Sequence, residues 1–170
     1  MQLTAVKGDE GRDRVYVQLD DGTEVSWSWP SYGRSLAHDL AHWVVESELG
    51  LDEGLWGLVA SGVDPSRVNK AAERIATGVR LRDMTGRDTT QLMQAEFVTA
   101  ALGRTDRSPA GAVAYVVEQC DEAGISGVDG LDVAAVERMA ARAEDLNRRW
   151  QAIAPDAGLV LAWPPADVDP

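Results

Sequence analysis

Residues 24–50 read EVSWSWPSYGRSLAHDLAHWVVESELG, and the side-chain pattern changes once within them. Up to Trp29 the apolar residues Val25, Trp27 and Trp29 fall on every second position, the period of a half-buried strand. Pro30 and Gly33 break that period. From Leu36 to Leu49 the apolar residues recur at helical spacing, and Gly50 stands where a helix commonly ends on a left-handed residue. The chain passes here from a sheet-forming part to a helical part.

Working outward, LTAV (3–6) and RVYVQL (14–19) alternate or carry β-branched and aromatic residues, and are read as strands. KGDEGRD (7–13) and DDG (20–22) between them are turn chemistry, the second suited to a tight hairpin. Toward the C-terminus the punctuation is helical. A short helix EGLWGLVA (53–60) ends at Gly62, and Asp64-Pro65 opens a helix PSRVNKAAERIAT (65–77). Asp88 or Thr89 opens TQLMQAEFVTAAL (90–102), and Ser108-Pro109 opens PAGAVAYVVEQCDEA (109–123), which stops at Gly124. The longest helix runs from about Asp132 to Ile153, before Pro155. GLVLAWPP (158–165) is too short for another helix and is read as a strand returning to the N-terminal sheet. The expected architecture is α+β, a small antiparallel sheet packed on five to six helices. A single domain is expected over 1–170: a β-rich part over 1–33, a helical part over 35–153 and a returning strand over 158–164.

Composition narrows the function classes. The net charge of −12 repels phosphate backbones, and neither RIATGVRLRDMTGR (74–87) nor NRRW (147–150) concentrates enough arginine to offset it. No nucleic-acid and no membrane partner is expected, since no apolar run nears the roughly 18–20 residues that span a bilayer. The first residues lack a basic region followed by an apolar one, and the single cysteine, Cys120, makes no internal disulfide. A cytoplasmic location is expected. The oligomeric state is left open.

The chemistry concentrates on the helix after Ser35. On a wheel advancing about 100° per residue, its apolar residues spread around most of the circumference. His38, Asp39, His42 and Glu46 share the remaining narrow strip, so the helix is mostly buried with one polar seam. These are the only two histidines of the chain. At i and i+4 their rings stand about 6 Å apart on one face, close enough to converge on one cation. With Ser35 as N-cap, His38 sits in the first turn, where the helix dipole disfavours its protonated form and keeps it available as a ligand. His38 and His42 are therefore the candidate ligands of zinc or another divalent metal, with Asp39 and Glu46 as candidate catalytic acids that handle protons. Glu46 is too far along the axis to share the metal, and could instead orient His42 from behind. A third ligand must come from another element, with Glu96, Glu118, Asp121, Glu122 and Cys120 as candidates.

The string HDLAH (38–42) resembles the HExxH helix of zinc peptidases, with His38 and His42 in the ligand positions and Asp39, one methylene shorter, where the glutamate general base stands. The longer segment SWPSYG…LAHDLAHWVVESELGLDEGLWGLVASG, about residues 25–62, resembles an uncharacterised group of actinobacterial proteins. These carry a P-H-D-L-x-H-x-x-V-E-x-x-L-G-L segment followed by a Gly-rich short helix, with proline where this chain has Ala37. That resemblance implies importance for the helix and supplies no chemistry.

Three functions stay open at this point. One is a small metal-binding enzyme of hydrolase or lyase type built on His38 and His42. Another is a non-catalytic acidic protein that docks a basic partner, with the histidine strip structural. The third is a ligand-binding protein or a metal-free acid/base catalyst, with Trp27, Trp29, Trp43, Trp56 and Trp163 either walling an aromatic pocket or forming core. Ser31 and Tyr32 could add a hydroxyl to such a site. Cys120, near the C-terminal end of its helix, reads as a structural thiol.

Overall fold

The three N-terminal strands form where the sequence alternates. A computed structural model describes residues 1–8, 11–31, 33–65, 72–73, 86–104, 106–154 and 157–164. Strands β1 (Gln2–Val6), β2 (Arg12–Gln18) and β3 (Glu24–Pro30) are antiparallel neighbours, and β5 (Gly158–Ala162) pairs antiparallel with β1. A two-residue strand, β4 (Ala72–Glu73), adds to the free edge of β3, giving the order β4-β3-β2-β1-β5. The register matches the alternation: Leu3 faces Val17 and Leu161, Ala5 faces Val15 and Leu159, and Val15 faces Trp27. All of these are buried, while Gln2, Tyr16, Gln18 and Val160 on the opposite face are exposed. A one-residue slip would turn the whole apolar set to solvent, so burial of one face fixes the register.

The helices among the described residues are α1 (His38–Leu49), α2 (Leu55–Ala60), α3 (Thr90–Leu102), α4 (Pro109–Ala123) and α5 (Val133–Ala152). The α+β class read from the sequence is the observed one, and the C-terminal strand does return to the sheet. One element differs. Ala72 and Glu73 pair with Trp27 and Ser26, so the helix expected over 65–77 is not continuous; the rest of that segment lies outside the described residues. The edge of β3 has unpaired backbone groups that strand pairing satisfies and a helix would not, a preference local periodicity does not reveal.

Two of the expected helix starts carry side-chain hydrogen bonds. The Ser108 hydroxyl accepts the Gly111 N–H at 3.1 Å with Pro109 in the first turn, and Asp88 accepts the Thr90 N–H at 2.9 Å ahead of α3. Two compact units are present, Met1–Ala37 with Leu58–Arg87 and Asn147–Pro170, and His38–Gly57 with Asp88–Leu146. The first holds the sheet; the second holds α1, α3 and α4. Among the described residues no helix is long and apolar enough to cross a membrane.

Candidate metal centre

Helix α1 begins at His38 itself, so this imidazole belongs to the first turn, although the helix starts later than a Ser35 cap would place it. Of its twelve residues, Asp39, Leu40, His42, Trp43, Val44, Val45 and Glu46 are buried. The polar seam is therefore enclosed for most of its length and opens at one end. His42 is 1% exposed and Glu46 0%, whereas the His38 side chain is 46% exposed. The two rings stand 4.7 Å apart between centroids.

Helix α3 supplies the third group. Glu96 Oε2 lies 3.7 Å from His38 Nε2 and 3.5 Å from His42 Nε2, and one ligand atom from each of the three residues falls within 4.8 Å of the others. Ligands held tetrahedrally at about 2.0–2.1 Å from a zinc ion stand roughly 3.4 Å from one another, so the two distances to Glu96 are near that spacing. Among the described residues this is the group of histidine, cysteine and acidic side chains that could hold a metal ion. Of the five candidates for a third ligand, the fold brings in Glu96 and leaves out Glu118, Asp121, Glu122 and Cys120. Cys120 is buried on α4, and burial followed by the charge of Asp121 pushes its thiol up, as expected of an inert structural cysteine.

Behind each histidine stands a carboxylate. Glu46 Oε1 is 3.0 Å from His42 Nδ1, and Asp39 Oδ1 is 3.9 Å from His38 Nδ1. Both acids thus face the ring nitrogen turned away from Glu96. The Glu46 carboxylate is also held by backbone: the Leu55 N–H donates to Oε1 and the Trp56 N–H to Oε2, each at 2.8 Å. A carboxylate only accepts, so His42 Nδ1 carries the proton and, in the neutral ring, Nε2 holds the lone pair. That Nε2 is buried and has no hydrogen-bond partner. Its nearest acceptor is Glu96 Oε2 at 3.5 Å, an ion-pair distance when the ring is protonated.

The electrostatics agree. Burial by itself disfavours the charged ring, but the carboxylates of Glu46 and Glu96 outweigh it and lift His42 from 6.5 to about 9. The same ring, together with His38, holds the Glu96 carboxyl below its ordinary value despite partial burial. The negative charge of Glu46 and Glu96 is what retains a proton on His42.

The five tryptophans read as pocket or core are all buried. Trp56 shares the unit of the histidine helix, and its indole N–H donates to the Asp39 carbonyl at 2.7 Å. Trp43 lies under the Arg142 guanidinium, 5.6 Å from its ring centre. Tyr32 lies outside the described residues; Ser31 belongs to the unit of the sheet, and its N–H donates to the Gly11 carbonyl. The backbone groups that bind Glu46 have no signature in the wheel of α1, because they come from a turn whose path is set by tertiary structure. Comparison with known proteins finds no matching family model, no matching curated protein and no matching solved structure.

Proposed function

We propose that His38, His42 and Glu96 form a three-ligand divalent-metal centre, zinc being the first candidate, in a small enzyme of hydrolase or lyase type. One observation carries the proposal: Nδ1 of His42 is committed to Glu46, which turns the buried Nε2 toward the Glu96 carboxylate 3.5 Å away, with the His38 ring beside it. A hydrogen-bonded carboxylate behind a ligating imidazole is the usual support of a metal site. Two histidines and one glutamate are also a donor set of catalytic zinc, which leaves a position for water or substrate. His38 and Glu96, about half exposed, give that position an approach from solvent. A cation held there would lower the pKa of a bound water and polarise a carbonyl. Glu46 serves this centre best by orienting the His42 ring through its bond to Nδ1, while Asp39, 3.9 Å from His38 Nδ1, faces that ring beyond hydrogen-bonding distance.

Metal analysis of untagged protein tests the reading. One equivalent of metal per chain is expected, falling to background in His38→Ala, His42→Ala and Glu96→Ala. A folded wild-type protein that takes up no zinc, cobalt, manganese or iron would remove it. Metal-dependent cleavage of an activated ester such as p-nitrophenyl acetate, absent from the same three variants, tests the hydrolytic half.

A further inference from the structure

The segment Gly50–Gly57, GLDEGLWG, has no part in the metal chemistry, yet it packs on the most deeply buried charge of the site. It begins at Gly50, directly after α1, and enters the short helix α2 at Leu55. Its contacts with α1 are specific. The backbone N–H groups of Leu55 and Trp56 take one oxygen each of Glu46, and the Trp56 indole takes the Asp39 carbonyl. The Leu51 N–H bonds back to the Glu46 carbonyl at 3.0 Å. The far side is tied to α3, where the Glu53 N–H donates to Gln91 Oε1 at 2.8 Å. The segment is thus braced on both helices that supply the metal ligands.

Gly54 is the position that permits this. A Cβ there would come within 2.4 Å of the Glu46 carboxyl carbon and 2.7 Å of Oε2, closer than real side chains approach. The missing side chain is what lets the backbone reach the carboxylate, and any larger residue must displace either the turn or Glu46. Gly57 is equally confined, since a Cβ would meet the Asp52 carbonyl oxygen at 1.9 Å.

We propose that residues 50–57 are a backbone cradle for the Glu46 carboxylate, and that Gly54 is a positioning residue that fixes the His42 ring in register with His38 and Glu96. The inference rests on the metal reading for its purpose, while its geometry can be tested without metal. Movement of Glu46 frees the Nδ1 side of His42, allowing the ring to tilt or change tautomer, and Nε2 then no longer points at the shared ligand position. Loss of such support costs a metal site about ten- to a hundredfold in affinity.

The test uses full-length protein labelled with 15N-histidine, in which only two imidazoles contribute signals. His38→Ala assigns them. The expected result is a hydrogen-bonded Nδ1–H resonance of His42 in the wild type that is shifted in Glu46→Gln, whose amide oxygen still accepts but carries no charge, and shifted or broadened in Gly54→Ala. Cobalt(II) titration of the same proteins is expected to show Gly54→Ala binding about ten- to a hundredfold more weakly than wild type, with an altered visible spectrum. Gly124→Ala, at the left-handed end of α4 with φ +67° and no atom near its Cβ, imposes backbone strain without touching Glu46 and should leave both readouts unchanged. An unaltered Nδ1–H signal in folded Gly54→Ala would overturn the cradle. So would cobalt binding by that variant equal to wild type. Absence of cobalt binding by the wild type together with the expected imidazole changes would instead overturn the metal reading and leave the cradle standing.

Discussion

His42 Nδ1 lies 3.0 Å from Glu46 Oε1 one helical turn further along, with both side chains sealed from solvent. A buried carboxylate is costly unless it is hydrogen-bonded, and here two backbone N–H groups and one imidazole N–H donate to it. The consequences separate the support of the site from its ligands.

Glu46→Ala leaves three buried N–H groups without an acceptor, and a loss of about 3–5 kcal/mol of folding stability is expected, as when one partner of a buried pair is removed. Glu96→Ala removes a half-exposed side chain and should cost less than about 1 kcal/mol while abolishing metal binding. Urea unfolding of the metal-free variants beside their metal content checks both. Equal stability losses for the two would mean that Glu46 is not the anchor described.

Metal uptake should depend on pH through His42. Because its ring in the metal-free protein titrates at about 9, above the ordinary 6.5, the proton must leave before Nε2 can ligate. Affinity is expected to rise about tenfold per pH unit between pH 7 and 9, with close to one proton released, and to flatten above. Calorimetry in buffers of different ionisation enthalpy measures the proton count. Conversely, the stability that the charged His42 gives the metal-free fold is fully present below 6.5 and is lost as pH rises through about 9.

On the opposite flank of α1, Glu48 receives Arg138 and Arg142 from α5, each at 2.7 Å. Burial alone would raise the Glu48 carboxyl, but the two guanidiniums overcome it and hold it below its usual value. A lowered carboxyl stabilises the fold above its unfolded pKa and loses that contribution as pH falls. Glu48→Gln is expected to cost about 1 kcal/mol near neutral pH, screened by water around the exposed Arg138, and nothing in acid. Thermal melts at neutral and acid pH check this, with convergence of the two proteins at low pH as the expected pattern.

Trp27 is fully buried on β3 beside Val15 of β2. Trp27→Ala should destabilise the protein by about 3–5 kcal/mol, the range for truncating a large core aromatic. Chemical denaturation measures it, and a loss under 1 kcal/mol would be inconsistent with a packed sheet face.

Much of this was legible along the chain because it is local. The alternation through Val25, Trp27 and Trp29 sets the strand face, and the Ser108-Pro109 and Gly124 signals bracket α4 at its observed ends. The polar strip His38, Asp39, His42 and Glu46 follows from helical geometry alone. What spacing does not encode is which partner another element brings. Glu96 stood equal to four other residues until the packing of α1 on α3 selected it. The Leu55 and Trp56 amides that hold Glu46 are backbone groups and leave no mark in side-chain patterning. Strand β4 was missed for a similar reason, since edge pairing to β3 competes with a locally helical sequence.

The most direct measurement is an anomalous-scattering map from crystals of the protein grown with zinc. A single peak is expected about 2.0–2.2 Å from His38 Nε2, His42 Nε2 and a Glu96 carboxylate oxygen, with Glu46 still bonded to His42 Nδ1. A map in a folded, zinc-saturated crystal with no peak among these three side chains, or with the metal held by other residues, would contradict the assignment.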